Sequence, residues 1–114
     1  MQKSTLGRTG RDVGVVGQGC WQFGGDWGSV SDDAAMAVLH TAADAGVTFF
    51  DTADVYGDGH SEELVGRFLK ERGDGDLMVA SKLGRRANPH TPEQFTRDNL
   101  RAWADRSRSL LGVE

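Results

Sequence analysis

The chain has 114 residues, with 13 lysines and arginines against 17 aspartates and glutamates, and its formal net charge of −4 excludes a basic nucleic-acid binder. At 38% hydrophobic and 26% charged residues the composition is that of a folded chain, and the length suits one small domain spanning 1–114. A single cysteine, Cys20, excludes an intramolecular disulfide and, with three scattered histidines, leaves no structural zinc set. No apolar run reaches the length of a membrane span, and Met1 to Arg11 lack the apolar stretch of a signal peptide. The expected setting is the cytoplasm, with neither a membrane nor a nucleic acid as partner.

Taken in chain order, Ser4 to Val13 carries short apolar pieces either side of a Gly-x-x-Gly turn, which reads as a hairpin. Val15 to Gly19 reads as a short strand ending in glycines, and the loop Cys20 to Gly28 that follows is rich in both glycine and aromatic residues. Ser31 caps a helix over about Asp32 to Ala45, with Ala35, Val38, Leu39 and Ala42 on one face and Gly46 as the stop. Val47 to Asp51 is apolar on both faces until the aspartate, as a buried parallel strand is. Ser61 then caps a second helix that buries Leu64, Val65, Phe68 and Leu69 and ends at Gly73 and Gly75. Leu77 to Lys82 is the next buried strand. Thr91-Pro92-Glu93-Gln94 supplies a cap, a first-turn proline and a capping-box glutamine for a third helix, which buries Leu100, Trp103 and Leu110.

A hairpin followed by strand and helix three times over predicts parallel strands with helices outside, in an open doubly wound sheet or a (β/α)₈ barrel. The dinucleotide fingerprint Gly-x-Gly-x-x-Gly is broken here, because Gly17 and Gly19 are followed by Gln22 where the third glycine belongs. About three βα units fit in this length, whereas a complete barrel takes about 250 residues.

Both architectures place chemistry at the carboxyl ends of the strands, where Asp51 and Lys82 end two apolar runs. Neighbouring parallel strands lie about 4.8 Å apart, so the two can form an ion pair at the mouth of the sheet. Tyr56, the one tyrosine of the chain, lies five residues past Asp51 in a loop over the same end. An ammonium beside a phenol favours phenolate and makes the phenol a better proton donor to a substrate oxygen. Together the three suggest acid-assisted chemistry on a carbonyl. Taken singly, each has a plainer role: a turn-capping aspartate, a solvated rim lysine and a packing tyrosine. His60-Ser61-Glu62 spells the His-x-Glu of zinc deaminases without its cysteine partner motif. Arg85-Arg86 reads as a solvated loop, and Cys20 has no neighbouring cation in sequence to activate it.

At Asp51-Thr52-Ala53-Asp54-Val55-Tyr56-Gly57, with Ser61-Glu62 beyond it and Ser81-Lys82-Leu83-Gly84 later, the chain resembles the aldo-keto reductase family. Leu6-Gly7-Arg8-Thr9-Gly10, Gly17-Gln18-Gly19-Cys20-Trp21, Asp44-Ala45-Gly46-Val47 and Ser109-Leu110-Leu111-Gly112-Val113 extend the resemblance over essentially the whole length. It implies an α/β fold, an incomplete (β/α)₈ TIM barrel closed at its base by the N-terminal hairpin. It also implies an oxidoreductase that uses NADPH, or less often NADH, to reduce aldehydes or ketones. Tyr56 is then the acid, Lys82 its electrostatic partner, and Asp51 the residue that pairs with the lysine and lies near the nicotinamide ribose. Gly19, Cys20 and Trp21 line the nicotinamide end, and Trp21 and Trp27 wall the small-molecule carbonyl substrate; no metal is implied.

The family's catalytic histidine belongs at the end of the next strand, and none of His40, His60 and His90 takes that role. Three βα units leave a strand edge and an apolar surface uncovered, so the 114-residue chain on its own is expected to be poorly stable or to associate with itself. Two other readings stand beside the enzyme: a non-catalytic nucleotide-binding or partner subunit, and an inactive truncated fragment.

Overall fold

The computed structural model describes residues 1–114. Strands β1 (Lys3–Thr5) and β2 (Asp12–Gly14) pair antiparallel with Lys3 opposite Gly14, and the Thr5 hydroxyl donates to Asp12 Oδ1 at 2.7 Å. The hairpin is anchored by the Gly14 amide, which donates to Thr48 Oγ1 at 2.9 Å, and by Met1 packed against Gly46. It therefore covers the entry to the strand Phe49–Asp51, opposite the end that carries Asp51.

Three parallel strands follow in spatial order β3 (Gln18–Gly19), β4 (Phe49–Asp51), β5 (Met78–Ala80), with Gly19 opposite Asp51 and Asp51 opposite Ala80. All three are shorter than their sequence patterns suggest. Val15 and Val16 stand outside β3, 53% and 55% exposed, because the Val15 amide bonds back to Gln2 O and so belongs to the hairpin's exit. The central strand is anchored by Phe50, fully buried with its ring 4.9 Å from that of Phe68.

Helix α1 (Asp32–Asp44) starts as the sequence indicates, with Ser31 Oγ accepting the Ala34 amide at 3.2 Å. Its buried face is turned slightly from the expected one: Ala35, Met36 and Leu39 are inside, while Val38 is exposed. Helix α2 (His60–Arg72) departs further. Its N-cap is Gly59, at φ 100°, and Ser61 lies inside the helix. The Ser61 hydroxyl is buried, bonding Cys20 O at 2.9 Å and Thr52 Oγ1 at 2.8 Å, so it ties helix to sheet instead of capping. The α2 helix ends on Gly73 in the left-handed conformation, with its amide on Leu69 O.

The third helical segment is split. Thr91 forms no side-chain cap, the turn Pro92–Gln94 stops at Phe95 (φ −83°, ψ 55°), and Thr96 restarts the chain as α3 (Arg97–Leu111) by accepting the Asn99 amide at 3.1 Å. Its buried residues are Ser107 and Leu111, with Leu100, Trp103 and Leu110 half-buried. Helices α2 and α3 touch at Gly66, where an added Cβ would lie 2.5 Å from Leu110 O. The result is three βα layers of an open sheet, a partial barrel without closure. No helix is long and apolar enough to cross a membrane.

Candidate active site

Register places the candidate site. Asp51 ends β4 opposite Ala80, and Lys82 stands two residues past Ala80, so the two side chains meet on one rim. Lys82 Nζ donates to Asp51 Oδ1 at 2.5 Å and to Thr52 O at 3.0 Å. Both side chains stay accessible, 52% exposed for Lys82 and 44% for Asp51. Partial burial alone would pull the Lys82 ammonium down. The Asp51 hydrogen bond and charge, with a smaller contribution from Tyr56, outweigh it and hold the group above its ordinary value, fully protonated near neutrality.

Tyr56 joins this pair through the loop after β4, where its amide bonds Ala53 O at 3.2 Å. Lys82 Nζ lies 5.4 Å from its ring centroid. On the other side Trp21 runs nearly parallel to the Tyr56 ring, with centroids 6.1 Å apart and planes at 19°. Trp21 is itself fixed by its indole N–H on Asp26 Oδ2 at 3.0 Å. A cavity of about 390 Å³ opens between Trp21, Asp26, Val55, Tyr56 and Arg85, and a smaller one of about 120 Å³ adjoins it against Ala53, Lys82 and Leu83. The two loops interlock at Gly24, where a Cβ would lie 2.5 Å from Gly57 N.

Asp51, Tyr56, Lys82 and Trp21 thus converge as the sequence suggests, and Gly19 lies beside them with open space over its Cα. Two residues are placed differently. Cys20 is fully buried within the core, and burial first, then the Asp51 charge, pushes its thiol up to about 12 against the pull of Lys82. Its side chain packs instead of facing a ligand, and what it gives the rim is its backbone, whose amide bonds Asp51 O at 2.8 Å. Trp27 is 70% exposed and meets Trp21 edge-on at 5.2 Å, so it braces the pocket wall from outside. None of the histidines reaches the rim: His40 pairs with Glu71, His60 with Asp32, and His90 lies edge-on to Phe95.

Beneath the Tyr56 loop lies a charged layer that the sequence does not announce. Asp54 and Glu62 are 1% and 0% exposed; Glu62 accepts the Ser81 hydroxyl at 2.6 Å, while neither Asp54 oxygen has a hydrogen-bond partner. Burial raises the Asp54 carboxyl, against the nearby Arg86 guanidinium at 3.9 Å. Arg86 is half-buried rather than solvated, and Arg85 lines both cavities. In sequence Asp54 and Glu62 stand within the motifs Asp51 to Gly57 and Ser61-Glu62, which do not indicate their burial.

The family model described as "Aldo/keto reductase family" matches residues 15–114. A curated relative, the aldo-keto reductase yakc [NADP(+)] of Schizosaccharomyces pombe, is 37% identical over 106 residues, covering 90% of this chain and 31% of its own. A probable voltage-gated potassium channel subunit beta of Oryza sativa is 39% identical over 85 residues, covering 73% of this chain and 25% of its own. Among solved structures, the thermostable aldo-keto reductase Tm1743 superposes with a TM-score of 0.80 at 34% identity, over 99% of this chain and 39% of that one. The chain spans about a third of the length of the curated relatives it matches.

Proposed function

The chain belongs to the aldo/keto reductase family of oxidoreductases, and from that premise we propose that its rim is the proton-delivering half of a carbonyl reductase site. The observation that carries the reading is the convergence of Asp51, Lys82 and Tyr56 at the edge of a cavity walled by Trp21. The substrate class is a small aldehyde or ketone, and the cofactor is NADPH, with NADH as the less frequent choice. The residues present suit a nicotinamide nucleotide: Asp51 Oδ2 carries no protein hydrogen bond and can accept from a ribose hydroxyl, and the open backbone at Gly19 allows close approach. When bound, that cofactor supplies the hydride to the carbonyl carbon.

The chain's own residues manage the proton. Tyr56 donates its phenolic proton to the carbonyl oxygen as negative charge builds there, and the Lys82 ammonium stabilises the phenolate left behind. Asp51 and Thr52 O fix Lys82 in place and keep it charged. Trp21, braced from outside by Trp27, presents an apolar wall to one side of the cavity.

The test is oxidation of NADPH with an aromatic aldehyde by the full-length protein. Wild type turns over, and Tyr56→Phe loses about 10²- to 10⁴-fold in kcat, the range of general-acid contributions. Retention of wild-type kcat in Tyr56→Phe contradicts the assignment. Similarity to a probable channel beta subunit favours a second reading, a non-catalytic nucleotide-binding or partner subunit. Under that reading the present protein binds NADPH without turnover in the same assay.

A further inference from the structure

The turn that follows Tyr56 has an unusual backbone. Gly57, Asp58 and Gly59 run consecutively at φ 62°, 49° and 100°, and Asp58 is the chain's only non-glycine residue at positive φ. Aspartate enters that region more readily than most residues with a Cβ but less readily than glycine, so contacts that hold it there matter. Two guanidinium groups from distant parts of the chain converge on it. Arg106, on α3, donates from Nη2 to Asp58 O at 2.7 Å and to Asp58 Oδ1 at 3.2 Å. Arg86, in the loop after β5, donates from Nη2 to the same Oδ1 at 3.2 Å. Neither arginine is a free surface charge: their side chains are 23% and 34% exposed for Arg86 and Arg106, against 80% for the carboxylate they grip. The Nη1 atoms of both are buried without a hydrogen-bond partner, that of Arg86 lying 3.9 Å from the Asp54 carboxylate. On the opposite side Gly24 closes against Gly57, so the turn is gripped from two directions.

We propose that Arg106 and Arg86 are positioning residues for Tyr56, holding the left-handed turn through Asp58 so that the phenol stays beside Lys82. Arg106 carries the larger share, because it grips both the backbone and the side chain of Asp58. The inference takes Tyr56 as the acid proposed above. It adds that α3, which contributes nothing to the rim itself, sets the acid's placement chiefly through Arg106, with Leu110 packed against Gly59 beside it.

The test compares Arg106→Met, Arg106→Lys and Arg86→Met with wild type in the full-length protein. Two readouts need no activity: amide hydrogen exchange over 57–60, and the ring resonance of Tyr56, identified by its loss in Tyr56→Phe. In Arg106→Met, exchange over 57–60 rises about 10-fold while the β4 and α1 amides stay at wild-type rates, and the Tyr56 resonance shifts. In the same variant kcat falls about 10- to 100-fold with the KM for NADPH unchanged, since displacement of a reacting group slows chemistry without weakening cofactor binding. Arg106→Lys recovers part of kcat, and Arg86→Met shows the same pattern more weakly. Unchanged exchange and resonance in Arg106→Met overturn the proposal, as does exchange that rises equally throughout the core. Should Arg106→Met not fold, Arg86→Met decides by the same two readouts. A wild type without reductase activity removes the proposed function, while exchange and resonance still decide the clamp.

Discussion

A lysine that bonds both a carboxylate and a backbone carbonyl is held against rotation, and the side chains around Lys82 show what such restraint does. Replacing it with methionine keeps most of the stem's packing and removes the charge beside the phenol. Lys82→Met is therefore expected to lower kcat in the aldehyde assay while leaving the KM for NADPH within a few-fold of wild type, and a KM effect alone would contradict the electrostatic role. Cys20 yields a different measurement. Its folded thiol is raised from an ordinary 9.0 to about 12, so between those values the native state holds a proton that the unfolded chain has released. Stability is then complete below about pH 9 and falls as pH rises through that window, by on the order of 1 kcal/mol per pH unit. Cys20→Ala, less stable at neutral pH, should show a flatter alkaline limb in denaturant melts between those values; a parallel limb contradicts the burial. Asp51, Tyr56 and Lys82 were legible in the sequence because each stands where an apolar run ends or just beyond it. The side chain of Cys20 was expected at the pocket and is buried in the core, and neither the burial of Glu62 nor the grip of Arg106 on Asp58 was foreseen, because these surroundings are set by contacts 19 to 48 residues away in sequence.

At the scale of elements, the two threonines ahead of α3 make a controlled pair. Thr96 accepts the Asn99 amide, whereas Thr91 makes no cap bond. Thr96→Ala should cost about 1 kcal/mol of stability and Thr91→Ala close to nothing, measured by denaturant unfolding. Equal effects would mean that one continuous helix begins at Pro92. The sequence offered a sound cap at Thr91 and Pro92, and what it could not show is that Phe95 leaves helical geometry, so that the second threonine takes over. Gly66 makes the opposite point about propensity. In an isolated helix Gly→Ala gains about 1 kcal/mol. Here the added Cβ would lie 2.5 Å from the Leu110 backbone oxygen, and overpacking against backbone costs about 1 to 3 kcal/mol, so Gly66→Ala should destabilise by parting α2 from α3.

For the whole molecule, sheet order is the governing fact. β4 is paired on both sides, while β3 and β5 each have one partner. The alternation of hairpin, strands and helices was readable from periodicity, since buried parallel strands and capped helices differ plainly in pattern, whereas the choice of a barrel over a doubly wound sheet came only from the family resemblance. Strand lengths were not, because apolar residues such as Val15 and Val16 begin before the first paired position. Residues 1–114 expressed alone, with two open edges and Val38 and Leu83 exposed, are expected to self-associate on gel filtration and to melt broadly. A monodisperse monomer with a cooperative melt would contradict this.

Lys82 and Tyr56 act as one proton-delivering unit in the proposed chemistry, and a double-mutant cycle in the full-length protein tests that directly. The kcat for aldehyde reduction is measured for wild type, Tyr56→Phe, Lys82→Met and the double variant. Residues that act as a unit are non-additive, so the double variant should be no slower than Tyr56→Phe alone. If the two losses multiply instead, Lys82 acts independently of the phenol and the assignment of roles on this rim is wrong.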